Sequence, residues 1–322
     1  MMITGKLAQT LAKTLAVTTL LSAMALPAAA AEEPASCQTV RFADVGWTDI
    51  TATTAVASTV LQALGYKTDT KVLSLPVTYT AMSTNDIDVF LGNWMPTQEN
   101  DLAPYRDAGT VDVVRTNLTG AKYTLATNKA GADLGLDDFG KIKDYKDQLD
   151  GKIYGIEPGN DGNRLLLDMV AGDKFGLGTF EIVESSEQGM LAQVARADAA
   201  NKPIVFLGWA PHPMNEAYQM TYLAGGDDVF GPDFGGARVD TNVRQGYVKE
   251  CPNVGKFLEN LEFTLPMENT IMGKILDDGM DPAEAAKEWL KANPDAATPW
   301  LAGVTTVDGG DAAQALTASL AD

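Results

Sequence analysis

Val89-Phe90-Leu91-Gly92-Asn93-Trp94-Met95-Pro96 is a short apolar run that opens on a β-branched residue and closes on Gly, Trp and Pro. The same plan returns, one residue shorter, as Val205-Phe206-Leu207-Gly208-Trp209-Ala210-Pro211. A run of this length bounded by Gly and Pro reads as a buried strand. Gly admits unusual dihedrals and Pro cannot extend a ladder, so each strand is expected to end before its Trp. Open α/β sheets bind ligands beyond the carboxyl ends of their strands. The repeat therefore predicts two similar lobes, each offering a Trp to one cleft.

The segments around each copy support that plan. Residues 40–45 read as a first strand, and Ala52, Val56, Val60 and Leu64 recur at helical spacing with Gly65 as C-cap. A strand at 70–73, a helix over 77–82 and a strand at 87–91 complete a βαβαβ pattern, which implies a parallel sheet with right-handed crossovers. Strands at 110–115 and 122–127 flank Thr116-Asn117-Leu118-Thr119-Gly120, a crossing point to the second lobe. Residues 142–149 are expected to be helical.

The second lobe repeats the order. It has a strand at 152–156, a turn-rich loop at 157–162 and a helix from Asn163 to about Lys174. A strand at 180–183 follows, then a capping box at Ser185 to Gln188 that opens a helix to Ala200, and a strand at 204–207. Strands at 220–224 and 237–245 are expected to return to the first lobe, followed by helices at 252–262, 265–278 and 282–292. From Val307 the chain is expected to be loosely ordered. The expected fold class is α/β: a two-lobed clamshell with two parallel-rich sheets flanked by helices and a ligand cleft between the lobes. Residues 31–116 and 213–322 are assigned to lobe 1 and residues 117–212 to lobe 2.

The chain has 322 residues, 45% hydrophobic and 21% charged, enough for two ordinary domains. Lys6 and Lys13 precede an apolar stretch at 15–26, followed by Pro27 and Ala28-Ala29-Ala30-Ala31. That order of charged, apolar and small residues predicts a cleavable signal peptide over residues 1–30, hence export to the periplasm. The formal net charge is −19, which argues against nucleic acid as a partner, because phosphate binding needs basic patches. Two cysteines, Cys37 and Cys251, in an exported chain suggest one disulfide. Closing so long a loop contributes about 4–5 kcal/mol on the chain-entropy model.

No catalytic constellation emerges. His212 is the single histidine, has no metal-ligand spacing around it, and reads as a loop residue between Pro211 and Pro213. There is no G-x-S-x-G elbow and no Walker loop, and Gly176-Leu177-Gly178 lacks a third dinucleotide-binding glycine. No enzyme, cofactor or metal is expected.

The aromatics are more telling. Trp289 and Trp300 fit packing roles. Trp47, Trp94 and Trp209 each follow a strand at matching corners of the two lobes. Tyr123, on a strand just past the crossing point, fits either the core or the cleft. Several aromatic faces around one space suit a quaternary ammonium ion, which has no N–H to donate and is held by ring quadrupoles at about 0.5–2 kcal/mol per face. Asp49, two residues after Trp47, fits both a helix cap and an acceptor for a ligand hydroxyl. Asn160, in the matching loop of the second lobe, fits both a turn and the same hydroxyl site. Asp161 and Arg164 come next in that loop.

The chain resembles the periplasmic substrate-binding proteins of ABC importers for compatible solutes, the glycine betaine/choline family, and within it the choline-binding members. The resemblance rests on residues 42–49, 89–96, 153–159 and 207–211 and spans nearly the whole chain after the leader. It implies a clamshell that closes on its ligand and delivers it to a membrane permease with its ATPase, acting as a monomer. It implies an aromatic box of Trp47, Trp94, Tyr123 and Trp209, with Asp49 and Asn160 holding a hydroxyl. Asp49 beside the box would repel a carboxylate, which favours choline, with acetylcholine or a betaine bound more weakly. Glycine betaine, proline betaine or carnitine is the alternative ligand, since Arg164 and a helix N-terminus could hold an anion. A sensory module that binds without transport is a further reading.

Overall fold

The computed structural model describes residues 33–321, together with Met1 and Met2. The expected signal peptide otherwise lies outside the described residues. No helix among the described residues is long and apolar enough to cross a membrane.

The strands are β1 (Thr39–Asp44), β2 (Lys67–Val72), β3 (Val89–Met95), β4 (Val111–Thr127), β5 (Lys152–Tyr154), β6 (Glu181–Val183), β7 (Val205–Ala210), β8 (Thr221–Tyr222) and β9 (Gly236–Arg244). They form one hydrogen-bonded path, β2-β1-β3-β9-β4-β7-β5-β6, with β8 added beside β4. β1 pairs in parallel with β2 and β3, and β5 pairs in parallel with β6 and β7. β1-β2-β3 and β5-β6-β7 thus form two parallel triplets. The two expected sheets are joined, because antiparallel β4 and β9 bridge the triplets.

The bridge departs from the expected pair of strands at 110–115 and 122–127. β4 is a single strand of 17 residues that continues through Gly120, with register shifts after Val113, Thr116 and Leu118. Its first part pairs with β9 and its last part with β7, so one strand serves both halves. β8 pairs with Ala126 and Thr127, so residues 221–222 stay with the second half and do not return to the first. The return is made by β9, which pairs with β3.

The repeated motif extends further than its glycines suggested. β3 and β7 continue through Gly92 and Gly208 and include Trp94 and Trp209. The prolines stop them, each after a cis peptide bond, Met95–Pro96 and Ala210–Pro211. Gly in these strands answers a packing need: a Cβ at Gly92 would sit 2.7 Å from Ile50, and one at Gly208 would sit 2.6 Å from Met220.

The helix Thr48–Ala63 packs on Leu265–Leu276 and Pro282–Ala292, so the C-terminal helices cover the β1 half. The helix expected at 142–149 is a 3-10 helix that starts three residues earlier, Phe139–Tyr145. The chain end is better ordered than its glycines implied. The N–H of Val307 donates to Leu64 O (2.9 Å), and Ala312–Ala321 is a helix against Thr48–Ala63. Cys37 and Cys251 are joined in a disulfide, with Cα atoms 5.5 Å apart.

Candidate functional site

β3 and β7 end side by side on either part of the β4–β9 bridge, so their terminal tryptophans converge. Tyr123 lies on β4 directly opposite Trp209 on β7. Its ring centroid is 6.0 Å from that of Trp94 and 6.3 Å from that of Trp209. Phe230, a residue that periodicity did not single out, closes a third side of Tyr123 at 5.9 Å, nearly perpendicular. Trp47, Asp49, Trp94, Tyr123, Ile156, Asp161 and Trp209 line one cavity. Five of the six predicted binding residues are therefore together, and their side chains are almost wholly buried.

Asn160 is the exception. It does not line that cavity; it is the N-cap of the helix Asp161–Ala171, its side-chain oxygen accepting from Asn163 N at 2.6 Å. Its amide Nδ2 is buried beside Tyr123 and Glu157 without a well-aligned partner. Asp161, the next residue, takes the lining position. Helix geometry explains the exchange: the cap side chain folds back onto its own helix, while the first helical residue projects forward.

Asp49 does not cap its helix. Its Oδ2 accepts from the Trp94 indole N–H at 3.0 Å, and its Oδ1 is buried and unpartnered. Burial, then the nearby Glu187, pushes the Asp49 carboxyl up to about 8, against the Trp94 hydrogen bond. Burial likewise pushes Asp161 up to about 7, with Thr97 opposing and Asp101 adding to it. Burial and the charges of Asp161 and Glu157 hold the Tyr123 phenol well above its usual value. The cavity is thus an apolar, ring-walled space with two carboxyl groups that ionise only at a cost. A cation entering it would relieve that cost.

The helix start that carries Asp161 needs Gly162. A Cβ there would fall 1.9 Å from the Tyr123 hydroxyl oxygen. Any side chain would push the helix off the ring.

Bonds from the second half lock onto the first around this cavity. The Trp47 indole N–H donates to Glu157. Glu187 accepts from the Thr48 N–H at 2.8 Å and from the Thr48 hydroxyl. Arg164 reaches Asp101 at 2.6 Å and Thr97 O at 3.2 Å. Glu187 thereby supplies the cap that the Thr48–Ala63 helix lacks locally. His212 stands behind it: Nδ1 accepts from Met214 N at 3.0 Å, which leaves Nε2 to donate to Glu187 at 3.2 Å. His212 is thus a loop residue, as the sequence suggested, but a buried one that braces Glu187. The N-cap of this helix is Ser186, one residue later than the expected Ser185, and accepts from Gly189 N, which leaves Glu187 to point across.

The family model for the substrate-binding domain of ABC-type glycine betaine transport systems matches residues 38–292. The chain belongs to that family. It is a substrate-binding protein of an ABC transporter of the glycine betaine type, and not an enzyme. A solved ABC-transporter choline binding protein in complex with choline is 68% identical, covering 89% of this chain and 100% of its own, with a TM-score of 0.88. A structure described as the choline binding protein in an unliganded semi-closed conformation is also 68% identical, covering 88% of this chain and 99% of its own, with a TM-score of 0.82. The glycine betaine/carnitine transport binding protein GbuC of Listeria monocytogenes is 30% identical over 167 residues, 52% of this chain and 54% of that relative. The fold of this chain is the two-lobed one of its structural neighbours.

Proposed function

We propose that this protein captures choline between its two lobes and hands it to a membrane permease. The trimethylammonium group would lie among Trp47, Trp94, Tyr123 and Trp209, held by ring quadrupoles in a desolvated space. The observation that carries this reading is the set of those four rings around one cavity that also holds buried, unpartnered carboxylate oxygens. Asp49 Oδ1 is a free acceptor for the choline hydroxyl, and the Asn160 amide is a buried donor close behind the lining. The chain is 68% identical to a protein solved with choline, which supports the same ligand.

The lobes in this reading are the β1-β2-β3 half with the C-terminal helices and the β5-β6-β7 half with β8. They divide within β4 near residue 116, and the chain comes back at β9 rather than at residue 213. Closure is held by the Glu157, Glu187 and Arg164 bonds across the cleft. The protein is exported through its leader to the periplasm and works as a monomer beside a permease and ATPase.

Competition calorimetry with choline, acetylcholine, glycine betaine and carnitine tests the ligand. Choline is expected to bind in the micromolar range or tighter, with glycine betaine at least about tenfold weaker because its carboxylate meets Asp49. Equal affinities would remove the role given to Asp49. Loss of choline uptake on deletion would separate transport from a purely sensory module.

A further inference from the structure

Asp161 has no part in the reading above, yet its position is unusual. An acidic residue in the first turn of a helix is ordinarily solvated and interacts with the helix dipole. Asp161 is 1% exposed, and neither carboxylate oxygen accepts a well-aligned hydrogen bond; the neighbouring Thr97 hydroxyl, which favours its ionised form, donates instead to the Trp94 carbonyl. The local cap is already supplied by Asn160. The nearest cation, Arg164, is committed to Asp101 and to the Thr97 carbonyl. A buried carboxyl group whose neighbouring cation is bonded to another acid is costly, and this one lines the aromatic cavity.

We infer that Asp161 is a specificity-determining residue, a second carboxylate that admits quaternary ammonium ions with an uncharged tail and turns away those that carry a carboxylate. This rests on the choline reading and extends it. Asp49 comes from the β1 half and Asp161 from the β5 half, so closure brings two acids to one cation. Choline or an ester of it leaves the cavity with two carboxyl groups against one positive charge. A betaine would add a third carboxyl group in the same desolvated space, and like charges there are strongly unfavourable.

Protonation changes the rule. A neutral Asp161 is an O–H donor and could hold a ligand carboxylate. The groups around it are Thr97, Asp101, Arg164, Tyr79 and Tyr123. Around Asp49 they are Trp94, Glu187 and Glu268. Burial raises Asp161 to about 7, so its charge changes in the neutral range. A cation favours the ionised form, so choline binds more tightly as pH rises, while betaine binds better as pH falls.

The test is calorimetry on the protein after leader removal, with choline and glycine betaine at about pH 6 and about pH 8.5. In the wild type the choline-to-betaine affinity ratio should rise at least about tenfold between the two. Asp161→Asn should lower the ratio at the higher pH by about tenfold or more and raise the ligand-free thermal midpoint, because a neutral isostere replaces a buried unpaired charge. A purely structural Asp161 would leave the ratio unmoved, and that result overturns the inference. So does a wild-type ratio that stays flat with pH, a measurement that needs no variant. A wild type that binds no quaternary ammonium ion overturns the choline reading and this inference with it, whereas choline binding with a flat ratio overturns this inference alone.

Discussion

The β3 and β7 ends carry the same motif but secure its Trp differently. Trp94 is tied through its ring: the indole N–H donates to Asp49. Trp209 is tied through its backbone and by packing. Its carbonyl accepts from Asn215 at 2.8 Å, Asn215 is held by Tyr222 at 2.7 Å, and the His212 ring meets Trp209 edge-on at 4.9 Å. One wall of the cage is therefore oriented by a carboxyl group that titrates, and the other by groups that pack. The lesson is that a repeated motif repeats the backbone geometry, while each lobe finds its own way to fix the ring.

The largest break in that comparison is removal of either ring. Trp94→Ala and Trp209→Ala should each weaken choline binding about 30-fold or more, the loss of one desolvated ring face. Trp289→Ala and Trp300→Ala should leave the affinity within about twofold, although Trp300 is core and its loss should lower the thermal midpoint. Similar losses for all four would show that the two motif tryptophans are not special.

Next comes the Asp49 anchor. Asp49→Asn keeps an oxygen for the Trp94 indole but removes the charge, and should weaken choline by about tenfold. Asp49→Ala also releases the ring and should cost more. If the two variants bind alike, the anchoring of Trp94 contributes nothing and the walls are equivalent after all.

A smaller effect is expected from the latch. Glu187→Ala removes the cap on Thr48 and should weaken choline by several-fold. Small-angle scattering should then show a larger radius of gyration without ligand. Glu187→Gln, which still accepts from the Thr48 N–H, should recover part of the loss. An unchanged radius would mean that this bond does not hold the lobes together.

A separate effect is on stability against pH. Asp49 and Asp161 hold protons more tightly folded than unfolded, their folded values being about 8 and about 7 against 3.8. The native state then binds more protons than the unfolded chain between those values, so stability falls as pH rises through this window. The ligand-free thermal midpoint should drop between about pH 5 and about pH 8, and the increment added by choline should grow. A choline increment that is constant with pH would indicate that neither carboxyl group meets the cation.

Much of this was legible in the chain. The strand–Gly–Trp–Pro repeat gave the two halves, and Trp47 and Asp49 were found by their place after the first strand. The second half of the site was harder. Asn160 and Asp161 are adjacent and equally polar, and only the helix start decides which one caps and which one projects. Glu187 was hidden inside a capping pattern whose register differed by one residue. Phe230 had no periodic signal, since it lies in a four-residue helix between β8 and β9.

The sequence by itself determined the order of strands and helices, the two triplets and the tryptophan at the end of each, because these follow from local apolar runs and their glycine and proline boundaries. It also marked the cysteines that form the disulfide. Tertiary structure alone decided that one long strand serves both halves, that Tyr123 lies opposite Trp209, and that Asp161 is buried without a well-aligned partner. Those are facts of register and of contact between distant segments. A one-residue shift along a strand or a helix start moves a side chain to another face, and no local pattern records which face the rest of the molecule will cover.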